Sequence, residues 1–390
     1  MIDGRGQVAG AYVAQLDLLL PHLFGVAEKI RAQATVLQEI PARIDRYHLA
    51  GGQVVLNGTP IASVGHGKLG RRIARYYLVL RELRRRTKPL DFLFLRYQGI
   101  SPLLIWTLRR LRKHNPRIII IMEMPTWPHA RPSGSFREMV FAWLERISRR
   151  NLRSHVDRIL TYSRESTIFG IPTIQTDNGV DVDAISAIRH APVDGAFRMM
   201  GLANLSFWHG YDRAVEGMAR YCASGGTRDI QFDIVGTGNE LPRLKYLVEQ
   251  HGLADRVHFH GALRGPQLDA IAERSNVGLS SLGLHRVRVD TTNLKSREFC
   301  ARGLPFVIDY TDRDFPPELP FVCTAPSDDS PLDIVAVLAF HDELVASQPH
   351  YPAEMRAFAL QHLTWHKKFQ PVLAYLKHSL AMRVQGDRAH

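Results

Sequence analysis

Two acids, Asp290 and Glu298, stand eight residues apart in the stretch Asp-Thr-Thr-Asn-Leu-Lys-Ser-Arg-Glu-Phe-Cys-Ala-Arg-Gly-Leu-Pro-Phe, which runs from Asp290 to Phe306. A helix from about Leu294 to Arg302 is predicted. Thr292 or Asn293 can cap its start, Gly303 can take the left-handed position at its end, and Pro305 stops it. A helix N-terminus attracts phosphate, and Thr291, Thr292, Asn293 and Lys295 gather donors and a charge there. One turn further on, the Glu298 carboxylate can accept hydrogen bonds from two neighbouring sugar hydroxyls. Phosphate plus diol describes a nucleotide-sugar. The same residues also allow a plainer arrangement, in which Lys295 and Glu298 form a solvated ion pair on a surface helix.

The pattern resembles the donor-site helix of retaining GT-B glycosyltransferases of the family 4 type, glycosyl transferases group 1. Their motif places two acids eight residues apart ahead of a Gly-x-Pro. Here Asp290 takes the place of the usual Glu, and Leu294 to Glu298 followed by Gly303-Leu304-Pro305 is similar to a bacterial subgroup. The resemblance implies that Glu298 holds the ribose, that Asp290 contacts the sugar, and that the anomeric configuration is retained.

Those residues need a framework of strands and helices. At 390 residues the chain suits two domains, and 45% hydrophobic with 23% charged residues indicates a folded protein rather than a disordered one. Cys222, Cys300 and Cys323 show neither disulfide nor metal-site spacing, which fits a reducing compartment. No signal-peptide pattern opens the sequence, and apolar runs such as Ile118 to Met122 are too short to span a bilayer. The net charge of +12 is uneven: residues 1 to 178 carry 28 Lys and Arg against 13 Asp and Glu, and the remainder is slightly acidic. The basic residues interleave with large apolar ones: Arg71, Arg72, Arg75, Arg81, Arg84, Arg85 and Arg86 around Tyr76, Tyr77 and Leu80, then Arg109 to Lys113, then Arg146 to Arg153. Such a surface suits an anionic membrane leaflet; it would also attract nucleic acid, or be merely a soluble basic face.

In the first half, Ala11 to Leu19 reads as a strand and Gly25 to Gln38 as a helix, with Gly25 where the resembled family brings backbone close to its ligands. Gln53 to Leu56 and Ile61 to Val64 flank the turn signal Asn57-Gly58. Strands and helices then alternate: strand 91 to 97, helix 102 to 114, strand 117 to 122, helix 136 to 151, strand 158 to 162. That order implies a parallel sheet whose ligands gather at the carboxyl ends of its strands. Glu123-Met-Pro-Thr-Trp-Pro-His follows one such end, so Glu123, Thr126, Trp127 and His129 are predicted to form the acceptor side, with Glu123 a catalytic candidate. The plainer alternative makes Glu123 structural and His129 an ordinary loop residue.

Asn178-Gly179-Val180-Asp181 looks like the family's entry into its second domain. The loop after strand Phe197 to Leu202 usually supplies an Arg and a Lys to the donor diphosphate; here those positions hold Leu202 and His209, which leaves Lys295, Arg213 and Arg297 as candidate phosphate cations. A strand ending in Gly236-Thr-Gly238 follows, and the loop at Gly261 is expected to stack on the base. The predicted fold class is α/β: a GT-B architecture of two facing Rossmann-like, doubly wound domains with a C-terminal helix crossing back. The predicted boundaries are 1 to 179 for the acceptor side, 180 to 362 for the donor side and 363 to 390 for the final helix. The expected function is retaining transfer of a sugar from a nucleotide-sugar to a lipid-linked or polysaccharide acceptor. Neither metal nor other cofactor is expected, and the predicted location is cytoplasmic, peripheral on the inner face of the plasma membrane. A nucleotide-sugar epimerase of similar architecture and a basic polyanion-binding protein with a degenerate sugar site are the alternatives.

Overall fold

A computed structural model describes residues 8–20, 23–40, 42–63, 68–86, 89–127, 136–188, 195–287 and 292–388, and the chain divides into two compact units. The first comprises Met1–Asp177 with Lys368–His390, the second Asn178–Lys367.

The first unit runs β1 (Val8–Asp17), α1 (Phe24–Leu37), β2 (Ala42–Ala50), β3 (Gln53–Leu56), β4 (Thr59–Ser63), α2 (Lys68–Arg85), β5 (Phe92–Arg96), α3 (Pro102–His114), β6 (Ile119–Met124), α4 (Phe136–Leu152), β7 (Arg158–Thr161), β8 (Thr167–Ile168) and β9 (Ile171–Gln175). Its nine-stranded sheet has the order β4-β3-β2-β1-β5-β6-β7-β9-β8. The central strands are parallel and buried, so they read as apolar runs: Phe92–Leu95 and Ile119–Met122 lie within the core. Asn57 and Gly58 both take positive φ, as a two-residue hairpin turn between β3 and β4 requires. Strand β2 was not predicted. Arg43, Asp45, Arg46 and His48 break its apolar pattern, yet Ile44, Tyr47 and Leu49 are buried and the strand pairs with β1.

The second unit contains β10 (Phe197–Leu202), α5 (Tyr211–Ala223), β11 (Ile230–Val235), α6 (Leu241–Gln250), β12 (Val257–Gly261), α7 (Pro266–Glu273), β13 (Val277–Leu279), α8 (Leu294–Arg302), β14 (Phe306–Ile308), β15 (Val322–Thr324), α9 (Ile334–Ser347) and α10 (Tyr351–Phe358). Its six strands are parallel in the order β12-β11-β10-β13-β14-β15. That is the doubly wound Rossmann order, and the direction of winding reverses between β10 and β13. Helix α8 stops as its sequence predicts, with Gly303 left-handed at φ 82°. A last helix, α11 (Trp365–Arg388), carries the chain back into the first unit, where Phe369 packs on Phe94 at 5.9 Å between ring centroids.

Candidate functional site

The winding reverses between β10 and β13, the position where a doubly wound sheet takes its ligand, and three segments meet at the carboxyl ends of these strands. After β10 the chain forms a short turn, Phe207–His209, and enters α5 through Gly210 at φ 65°. A Cβ on Gly210 would stand 2.4 Å from the Leu282 carbonyl, so only glycine admits the loop that follows β13. That loop is tied in place by the Leu282 N–H donating to the His209 carbonyl at 2.9 Å. The third segment is the first turn of α8. From it Lys295 donates to Ser281 Oγ at 2.9 Å.

The electrostatics of this corner follow from burial. Burial pushes the half-buried Lys295 ammonium down to about 7, and the nearby Asp309 carboxylate opposes the shift. His209 is held down to about 2 by burial and by the charge of Lys295, so its ring is neutral. Its Nδ1 accepts from the Ser206 N–H at 3.1 Å, which leaves the proton on Nε2 as a neutral donor. Asp309 follows β14, almost completely buried, with His285 at 2.8 Å and its own carboxyl pushed up by desolvation. Ser280, Ser296 and Tyr310 link their hydroxyls beside it, at 2.8 Å between the serines and 2.7 Å from Ser296 to Tyr310. An ammonium, a neutral imidazole and a helix N-terminus thus lie together at the switch point of the sheet, the place where such folds bind phosphate.

Glu298 lies on the next turn of α8, about a quarter exposed. Its Oε1 accepts from Arg302 Nε at 3.2 Å and Nη2 at 2.9 Å, and Arg302 is anchored in turn by Asp269 at 2.6 Å. No hydrogen bond from the described residues reaches Oε2. The ion pair predicted as the plain alternative is therefore absent: Lys295 turns to Ser281 and Glu298 to Arg302.

Other candidates have structural duties instead. Arg213 is buried, and each of its three nitrogens donates to a backbone carbonyl: those of Ser330 at 2.6 Å, Pro326 at 2.9 Å and Leu282. Arg297 is buried between Asp312 and Asp314, at 2.6 and 2.5 Å from Nη2, and also donates to the Asn178 carbonyl. Neither is placed to receive a phosphate. Thr292 is turned back onto Asn178, whose backbone N–H donates to its hydroxyl at 3.1 Å. Asn293 starts α8 without capping it, and its buried amide nitrogen has no partner among the described residues. Gly236 and Gly238 serve the loop after β10: added Cβ atoms would stand 1.8 Å from the Ala203 oxygen and 2.1 Å from the Leu205 oxygen. Gly236→Ala, at φ 131°, is expected to destabilise the second unit by more than about 2 kcal/mol, read as a lower urea midpoint. Gly261, left-handed at φ 67°, has open space where a Cβ would lie. Asp290 and Thr291 fall outside the described residues.

In the first unit Glu123 lies inside β6, not in the loop beyond it, and is completely buried. Oε1 accepts from Tyr162 Oη at 2.6 Å and Gln33 Nε2 at 3.0 Å and lies 3.1 Å from Lys29 Nζ; Oε2 accepts from Arg96 at 2.6 Å. Tyr12 closes the network by donating to Gln33 Oε1 at 2.6 Å. Despite the desolvation that opposes it, the two cations and these donors hold the Glu123 carboxyl down to about 2, so it stays ionised and gives up no proton near neutrality. Trp127 is half-buried, packed edge-on against Phe169 at 5.1 Å, while Thr126 is exposed and Gly25 sits in open space near the start of α1. His129 lies outside the described residues. Sequence reasoning missed Tyr12, Lys29, Gln33, Arg96 and Tyr162 here, and Ser281 and Asp309 in the second unit. One signal was available: Lys29 and Gln33 are four apart on the face of α1 that carries Ile30, Val36 and Leu37 into the core.

Residues 189–287 match the sequence model of glycosyl transferases group 1. No curated protein matches the chain by sequence. Among solved structures, sucrose-phosphate synthase from Thermosynechococcus elongatus superposes with a TM-score of 0.64 at 14% identity, covering 98% of this chain and 100% of that one. A glycosyltransferase from Rickettsia africae ESF-5 gives 0.64 at 11% identity over 96% and 99%, and HepE from Anabaena in complex with UDP gives 0.57 at 13% over 97% and 100%. These likenesses establish the fold, and the matched segment lies wholly within the second unit. The chain therefore carries a glycosyl transferases group 1 domain on a GT-B fold and is a glycosyltransferase.

Proposed function

We propose that the chain is a retaining, metal-independent glycosyltransferase that moves a sugar from a nucleotide-sugar to a lipid-linked or polysaccharide acceptor. The observation that carries this reading is the convergence of Lys295, the His209 Nε2–H and the start of α8 at the switch point of a Rossmann-order sheet. In it the donor diphosphate sits against the α8 N-terminus, and Lys295 neutralises the charge that grows as the anomeric bond breaks. Glu298 Oε2 accepts from the ribose diol, and Asp290 contacts the sugar. His209 supplies a donor where the resembled family carries a lysine, and the Gly261 loop faces the base. HepE was solved with UDP and with UDP-glucose, which supports a nucleotide-sugar donor. The first unit holds the acceptor, with Thr126 and Trp127 near it and Glu123 fixing the strand ends. Its basic surface keeps the enzyme on the cytoplasmic face of an anionic membrane.

The test is thermal stabilisation by UDP-, GDP-, ADP- and TDP-sugars in EDTA. One nucleotide is expected to raise the melting temperature of the wild type, since a ligand at a hundred times its Kd contributes about 2.7 kcal/mol. Glu298→Gln keeps the shape but replaces a charged acceptor with a neutral one, so it should weaken that donor about tenfold. The variant should keep its fold, because Asp269 still holds Arg302. Stabilisation that needs a divalent cation, or is indifferent to Glu298, would remove the reading.

A further inference from the structure

Helix α4 presents an outward face that its own unit leaves uncovered. Met139, Trp143 and Ile147 follow one another at four-residue spacing and are 52%, 60% and 45% exposed. Arg146 and Arg150 fall on the same arc, between and beside the apolar residues, and both are exposed. Ser148 and Leu152 lie on the opposite side of the helix and are buried. Among the described side chains of α4, the acid Glu145 points away from this face, because it accepts a hydrogen bond from Tyr97 Oη. Next to α4 packs α3, whose outward face repeats the composition. There Trp106 is 49% exposed with the Arg84 guanidinium stacked on it at 3.5 Å, and Arg109, Arg110 and Lys113 are exposed beside it. No helix among the described residues is long and apolar enough to cross a membrane. The side chains of Arg71, Arg72 and Arg75, predicted to belong to the same basic surface, lie outside the described residues.

We infer that the outward face of α4, extended by Trp106 and the cations of α3, is the surface by which the chain rests on an anionic lipid bilayer. It deepens the membrane part of the function proposed above and rests on that part alone. Charge complementarity selects the occupant. A soluble domain rarely leaves three large apolar side chains of one helix in water. Arginines set among them suit neither an apolar protein groove nor a neutral bilayer, but at the headgroup level of an anionic leaflet the rings and aliphatic chains enter while the guanidiniums meet phosphate.

The experiment is vesicle flotation of the full chain with phosphatidylcholine alone and with added phosphatidylglycerol, for the wild type, Trp143→Ala and Arg146→Gln/Arg150→Gln. The wild type should float with the anionic vesicles only. Loss of the two arginines should lower its partition constant by roughly 25-fold, at about fivefold per charge, and loss of Trp143 should weaken it and remove a blue shift of indole emission. These substitutions are at exposed positions, so the melting temperature and its rise with a nucleotide-sugar should not change. A wild type that ignores anionic vesicles sinks both the membrane reading and this face. Variants that float as well as the wild type sink the face alone. A dimer broken by Trp143→Ala, or oligonucleotide binding that displaces the vesicles, would assign the face to a second copy or to nucleic acid and overturn the inference. Retained donor stabilisation in every case would leave the sugar site standing.

Discussion

Lys295→Met should lower kcat/KM by about 10²- to 10³-fold, because it removes the lysine ammonium that α8 holds against Ser281 at the switch point while keeping the aliphatic volume. The fold should survive. The folded-state pKa of about 7 lies below the ordinary 10.5, so the protonated lysine opposes folding at low pH, and that penalty disappears as pH rises towards its unfolded value. The variant should accordingly melt no lower than the wild type at pH 6. Donor affinity should show the complementary pH dependence. A diphosphate binds the protonated form, so below about pH 7 affinity is flat, and above it each unit costs up to about tenfold until the pKa of the bound state is reached. Calorimetry at pH 8 in two buffers of different ionisation enthalpy should record uptake of most of one proton, and Lys295→Met should record none. His209 stays neutral throughout this range, its ring held down to about 2, so it adds no second transition.

The second large effect belongs to Glu123→Ala. The substitution leaves Arg96 and Lys29 buried without their carboxylate and strips partners from Tyr162 and Gln33, which should cost about 3–5 kcal/mol. In a unit of this size that is roughly 6–20 °C in melting temperature. Glu123 is depressed to about 2 from an ordinary 4.5, so the stabilisation it contributes is complete above about pH 4.5 and is lost as pH falls towards 2. Lys29 behaves in the opposite sense. Burial lowers it to about 8, so the variant can shed that charge in mildly alkaline buffer, and its deficit should be smaller at pH 9 than at pH 7. Activity measured well below the variant's melting temperature should fall far less than in Lys295→Met, because an ionised, enclosed carboxylate positions its neighbours and transfers no proton.

Much of this architecture is written in local chemistry. Alternating apolar strands and helices are enough for two α/β units, Asn57-Gly58 for a hairpin, and Gly303 with Pro305 for the end of α8. The placing of Lys295 at a helix start is equally local. Strand β2 escaped because its charged and polar positions are interspersed with only three buried apolar ones, so the pattern resembles a polar segment until β1 lies beside it.

What local chemistry could not supply is the partner of each polar group. Arg213, Arg297 and Lys295 are three cations in plausible phosphate positions, and nothing within a few residues of any of them separates their fates. Arg213 is occupied by carbonyls more than a hundred residues away at Pro326 and Ser330, and Arg297 by Asp312 and Asp314 on the loop after β14. The two glycines of Gly236-Thr-Gly238 answer to Ala203 and Leu205 across the sheet, and Glu123 draws its partners from three separate segments: α1, β5 and the end of β7. A side chain's secondary structure depends on its neighbours in sequence. Whether its charge is available to a ligand depends on which groups the folded chain brings within about 3 Å, and long-range packing sets that.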